Sequence, residues 1–225
     1  PAHTEIRVPE GVELVVLNLP PERETASRGF LAWLAVHPQD CVLFNDASYV
    51  EPAWAYVPAE TAVVVVLHDV ASGWQSGVVR HRESLDAVIA VSRFVRNTLA
   101  GRLPPDSLPI HVIHNGCALK PIPAPAASGG MIRLLYAGSG DPFKGVADIP
   151  RIIRSLEKLE ISFRLTWVGT TDSSIVHRLS ALQEDGRLVI AGHVPREICL
   201  DCMARSDVLI MPSRAEPFGM VTVEA

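Results

Sequence analysis

The chain has 225 residues, of which 48% are hydrophobic and 20% charged, a composition that excludes a disordered protein and suits one large or two small compact domains. A formal net charge of −5 argues against a broad nucleic-acid or anionic-membrane surface and leaves room only for a local basic pocket. The longest apolar runs, such as residues 62–67, are far too short to cross a bilayer, and no charged-then-apolar leader opens the sequence. Four cysteines, Cys41, Cys117, Cys199 and Cys202, demand no oxidising compartment, so the expected location is the cytoplasm, with peripheral membrane contact and oligomeric state open. Cys199-Leu-Asp-Cys202 has metal-ligand spacing, but no second Cys or His pair matches it, so it reads as small apolar packing on a helix and no metal is expected.

Residues 1–10 are polar and proline-bearing and read as a loop. Residues 12–17 form an apolar run stopped by Pro20-Pro21 and read as a short buried strand. Phe30, Leu31 and Leu34 at helical spacing predict a helix over 22–36, ended by His37-Pro38. Residues 41–44 read as a second buried strand closed by Asn45-Asp46, and residues 52–56 are ambiguous. The strongest strand is 61–68, where Val63 to Val66 are all β-branched. His68-Asp69 ends it, and residues 70–73 read as a loop. Residues 86–91 give another strand, Ser92 a helix N-cap, and 93–101 a helix. A short strand over 110–113 and a turn at Asn115-Gly116 complete this half.

Composition then shifts. Lys120-Pro-Ile-Pro-Ala-Pro-Ala-Ala-Ser-Gly-Gly130 reads as an extended linker. After it, strands are predicted at 131–136, 162–167, 188–191 and 208–211, alternating with helices at 146–159, 174–183 and 195–205 and a last helix opened by Gly219. Near-continuous apolar strands alternating with helices mean parallel sheets covered on both faces. The fold class is therefore α/β: two doubly wound, Rossmann-like domains over 1–120 and 131–225, joined by a linker over 121–130. Ligands bind such sheets at the carboxyl ends of the strands.

The last segment gathers chemistry there. Glu216 and Glu224 stand eight apart, one in a loop and one in the helix that follows. The amides of Phe218, Gly219 and Met220 between them are expected to be open helix-start donors. Carboxylates bind hydroxyls and open amides bind phosphate, so a nucleotide sugar satisfies both. Glu216-Pro-Phe-Gly-Met-Val-Thr-Val-Glu224 resembles the E-x7-E signature of retaining GT-B glycosyltransferases of the GT4-like, group 1 type. Ala137-Gly-Ser-Gly-Asp-Pro-Phe-Lys-Gly145 resembles that family's G-R-x-x-x-x-K-G loop, with Lys144 at the lysine position and Ser139 where relatives carry arginine. One fixed cation is thus expected where relatives have two, with Arg133 or Arg214 as candidates to compensate. Trp167-Val-Gly169 and Gly192-His-Val194 resemble segments beside the nucleotide base, while Val91-Ser-Arg93 and His114-Asn-Gly116 match landmarks read as architecture.

The resemblance implies a GT-B enzyme that moves a sugar from a nucleotide-diphosphate sugar to an acceptor hydroxyl with retention, needing no cofactor and no divalent ion. It implies catalytic roles for Glu216, Lys144 and His68, and donor contacts from Gly138, Ser139, Gly140, Phe218, Gly219, Met220, Glu224, Gly169 and Val194. Asn45 and Asp46 are weaker candidates for acceptor contact. A nucleotide-sugar epimerase or hydrolase of the same fold, and an inactive nucleotide-sugar-binding protein, stay open. That family begins with a strand, a glycine-rich loop and a helix, none of which precedes Val12, and ends beyond residue 225. A piece lacking both ends is the expectation, and whether such a piece is active alone stays open.

Overall fold

A computed structural model describes residues 9–45, 47–70, 72–117 and 129–225. The expected acceptor contact Asp46 and most of the expected linker, 121–128, lie outside them. The chain divides into two compact units, Pro1–Ile113 and His114–Ala225.

The first unit holds a parallel sheet of strands β1 (Cys41–Asn45), β2 (Ala62–Leu67), β3 (Ala87–Ala90) and β4 (Ile110–Val112), side by side in chain order. Helix α1 (Arg23–Val36) precedes it, a 3₁₀ stretch Ser48–Tyr56 follows β1, and helices α2 (Ser72–His81) and α3 (Arg93–Ala100) follow β2 and β3. Ser92 caps α3 as expected, its hydroxyl accepting from the Val95 amide at 3.2 Å. Buried Glu51 joins three of these elements: it accepts from Arg23 at 2.7 Å, from Arg80 at 2.8 Å, and lies 2.8 Å from His81.

Three local expectations fail here. Residues 12–17 form no strand; Val12, Leu14 and Val16 are 57%, 51% and 71% exposed. An apolar run becomes a strand only where an edge accepts its hydrogen bonds, and no described strand pairs with it. Residues 72 and 73 open α2 instead of ending a loop. Asn115-Gly116 shows no turn.

The second unit holds β5 (Ile132–Ala137), β6 (Phe163–Val168), β7 (Leu188–Gly192) and β8 (Val208–Leu209), all parallel, in the order β7-β6-β5-β8. Alternation along β5 divides its side chains between two cores. Leu134 and Tyr136 pack with Ile149 and Ile153 of helix α4 (Ile149–Lys158), and with Ile175 and Leu182 of the short helices α5 (Ser173–Arg178) and α6 (Ser180–Glu184). Leu135 and Ala137 pack with Met203 of helix α7 (Arg196–Ala204) and Val221 of helix α8 (Met220–Glu224). Both faces are covered, so the doubly wound reading holds. The helix predicted over 174–183 is broken at Leu179, and the strand predicted over 208–211 is only two residues long, with Val208 exposed. Cys199 and Cys202 lie on α7 and pack against the second core; burial pushes the Cys199 thiol up. No helix among the described residues is long and apolar enough to cross a membrane.

Candidate functional site

Strand order fixes where a ligand can sit. From β5 the chain winds outward to β6 and β7, then returns to place β8 on the other side of β5. Loops leaving neighbouring strands at such a reversal diverge and open a crevice at their carboxyl ends. The two loops at this reversal are 138–148, after β5, and 210–219, after β8. They are the two segments that carry the sequence motifs.

The loop after β5 is shaped by glycine. Gly145 is left-handed at φ +67°, and a Cβ there would stand 2.0 Å from the Pro212 carbonyl oxygen. Gly169, at φ +111°, has the Gly138 carbonyl oxygen 1.9 Å from where its Cβ would be. No side chain fits either place, so the loop after β5 lies directly against the loops after β6 and β8. Two further bonds set its path. The Gly140 amide donates to Thr170 Oγ1 at 3.0 Å, and the Tyr136 hydroxyl donates to the Ser139 carbonyl at 2.6 Å. Beneath it, Trp167 lies 4.5 Å from the Tyr136 ring and donates to the Thr170 carbonyl at 3.0 Å.

Lys144 ends a 3₁₀ turn, and its ammonium meets both oxygens of Glu216, at 3.1 and 3.0 Å. The Arg214 amide donates to the Phe143 carbonyl at 3.2 Å, which ties the two loops beside this pair. A pocket here is lined by Tyr136, Gly138, Lys144, Met211, Glu216 and Gly219. Burial first, then the carboxylates of Asp141 and Glu216, push the Tyr136 hydroxyl up to about 12, so it stays protonated and holds the Ser139 carbonyl. The Ser139 hydroxyl donates to Asp141. Where the resemblance expects a cation, the structure has a hydroxyl turned to a carboxylate.

Gly219, left-handed at φ +78°, starts α8 close to Glu216: a Cβ there would be 3.1 Å from Glu216 Cγ. The amides of Phe218, Gly219 and Met220 donate to no acceptor among the described residues. The His114 ring packs on Phe218 with centroids 5.5 Å apart. Glu224 ends α8 and is largely buried beneath Arg196 at the start of α7, which donates to it at 3.1 and 2.6 Å. That carboxylate holds the Arg196 guanidinium above its ordinary value. Val194 packs with Val221 in the same core.

The structure therefore brings Gly138, Ser139, Gly140, Lys144, Gly169, Glu216 and Gly219 around one crevice, with Phe218, Met220, Val194 and Glu224 on the adjoining α8 and α7 segments. His68 belongs to the other unit, where its Nε2 donates to Asn45 Oδ1 at 2.6 Å. Arg133 is no substitute for the missing arginine. It lies at the amino end of β5, the far end of the strand, bound to Asp207 at 3.0 and 2.7 Å. Arg214 does border the site, but its guanidinium is bound to Asp148 at 3.2 Å. Sequence reasoning missed Arg196, whose partner is 28 positions away. A wider groove in the first unit, lined by Arg96, Leu103, Pro104, Pro105, Asp106 and Leu108, lacks any such carboxylate–cation pair.

Residues 123–225 match the family described as Glycosyl transferases group 1. Two curated relatives, each a glycogen synthase from a strain of Mycobacterium tuberculosis (CDC 1551 / Oshkosh and H37Rv), are 29% identical over 173 residues, 68% of this chain and 40% of theirs. The chain thus spans well under half the length of the curated relatives it matches. Among solved structures, the apo lipopolysaccharide outer core galactosyltransferase WaaB superposes with a TM-score of 0.65 at 19% identity, over 90% of this chain and 58% of that one. HepE from Anabaena, solved with UDP and glucose, gives 0.65 at 19% identity, over 89% and 59%. The pneumococcal O-GlcNAc transferase GtfA, solved with UDP and GlcNAc, gives 0.66 at 15%, over 90% and 43%. The fold is that of GT-B glycosyltransferases.

Proposed function

We propose that this chain belongs to a retaining, GT4-like glycosyltransferase that moves a hexosyl group from a nucleotide-diphosphate sugar to an acceptor hydroxyl without a cofactor or divalent ion. The observation that carries the reading is the Lys144–Glu216 pair, set at the strand-order reversal by two loops in direct backbone contact. Glu216 accepts donor-sugar hydroxyls, Glu224 accepts ribose hydroxyls, and Gly169 and Val194 flank the base. In the reaction the bond from the anomeric carbon to the diphosphate breaks and its electron pair leaves on the diphosphate. The acceptor oxygen forms the new bond and gives its proton to the departing diphosphate oxygen. Lys144, with the amides of Phe218, Gly219 and Met220, meets the charge growing on the leaving group. Fixed donors of this kind each contribute about 10²–10³ in rate.

The resemblance also implies a catalytic role for His68, on the first unit, whose ring is oriented by Asn45. UDP-glucose and UDP-GlcNAc are the first donors to assay, because the neighbours' bound ligands are UDP, glucose and GlcNAc. Lys144→Ala should slow transfer by about 10²–10³ with an unchanged melting temperature. Transfer at the native rate by that variant would overturn the assignment.

A second reading has its own observation. Ser139 stands where relatives carry arginine and its hydroxyl donates to Asp141, so the cradle carries two carboxylates, Asp141 and Glu216, beside Lys144. A chain that binds nucleotide sugar without turning it over fits that balance. Calorimetric binding of UDP-glucose together with no product from any acceptor would select it.

A further inference from the structure

We infer that Arg196 is a positioning residue that aims the Glu224 carboxylate at the nucleotide's ribose; this rests on the donor reading above. Both hydrogen bonds from Arg196, one from Nε and one from a terminal nitrogen, fall on the same oxygen, Oε1, at 3.1 and 2.6 Å. Oε2 has no partner among the described residues. The carboxylate is thereby clamped at one oxygen and open at the other. This differs from Glu216, whose two oxygens are both covered by Lys144.

The clamp has a rigid base. Arg196 begins α7 directly after Pro195, which fixes the backbone at the helix start. Val194, two residues earlier, and Val221, one turn before Glu224, lie in one apolar core. The segment leading into α7 and helix α8 therefore share an apolar core, and the ion pair is not alone in holding them together. A glutamate side chain has three rotatable bonds, and an unclamped carboxylate at a helix end samples several rotamers. Two donors on Oε1 select one of them and leave the open oxygen in a fixed direction. Arg196 itself touches no substrate in this arrangement; it acts through Glu224.

The test uses the 225-residue chain and calorimetric titration with UDP and ADP, each compared with its 2′,3′-dideoxy analogue. The native chain should bind each ribonucleotide about tenfold more tightly than its dideoxy partner, the discrimination one charge-assisted hydrogen bond supplies. Arg196→Ala should lose most of that ratio while binding the dideoxy compounds as the native chain does. Arg196→Lys, with one donor instead of a fork, should recover part of it. A purely structural role would weaken ribo and dideoxy compounds equally and leave the ratio intact. An Arg196→Ala chain that keeps the native ratio overturns the inference and leaves the donor reading standing. A native chain that binds neither UDP nor ADP overturns both, and Arg196→Lys supplies the measurement if Arg196→Ala does not fold.

Discussion

Asp207 shows how much one side chain can organise. It sits just before β8, where its carboxylate accepts from the Arg133 amide at 2.7 Å and from the guanidinium at 3.0 and 2.7 Å. Those bonds hold its carboxyl at about 2, below the ordinary 3.8. The folded value is depressed, so its contribution to stability is fully present above about pH 4 and is lost as pH falls toward 2. Urea midpoints measured across that range should fall for the native chain, and Asp207→Asn should flatten this part of the profile while lowering the midpoint at neutral pH. An identical acid profile for both chains would contradict the assignment. The sequence left Arg133 as a candidate for the diphosphate because position in a strand does not say which neighbour claims a guanidinium. Its partner is 74 residues away, and only the pairing of β5 with β8 brings the two together.

The elements of the first unit are tied by Glu51. Its side chain is 6% exposed and receives Arg23 from α1, Arg80 from α2 and the adjacent His81. Removing the carboxylate leaves Arg23 and Arg80 without the charge they were placed around, although both are more than half exposed and regain water. Glu51→Ala is therefore expected to cost about 3 kcal/mol, at the low end for a broken buried ion pair; chemical denaturation of the first unit measures it. The same residue explains why α2 was unreadable. Ser72 and Gly73 read as the end of a loop, and Gly73 and Gly77 lower helix propensity. A Cβ at Gly77 would stand 3.2 Å from Glu51 Cγ, so a small residue is what this tightly packed helix position accommodates. Elements with strong local signals were legible, as with the four valines of β2 and the Ser92 cap of α3. Residues 12–17 carried an equally apolar signal, but pairing is a property of two segments and cannot be read from one.

At the scale of the molecule, the chain is two units, and the proposed nucleotide contacts lie in the second. A ligand that binds one folded unit raises the stability of that unit by mass action. Calorimetric scans with excess UDP should raise the transition of His114–Ala225 and move that of Pro1–Ile113 less, and Lys144→Ala should abolish the shift. Equal shifts of both transitions would mean that the nucleotide is held otherwise. The doubly wound α/β architecture was legible because strand–helix alternation is a global pattern that survives local errors. The reversal of strand order between β5 and β8 was not, since sequence rhythm is the same whichever edge the chain returns to.

Gly145 has one more consequence. With its α-carbon pressed on the Pro212 carbonyl, the lysine and the glutamate are borne by segments that mesh like adjoining cogs. The contact stops the two segments from coming closer and the bond from the Arg214 amide to the Phe143 carbonyl ties them, so the backbone helps to set the gap between ammonium and carboxylate. Side chains on this frame, such as those at positions 139 and 141, can then be exchanged during divergence without losing the spacing on which the chemistry depends.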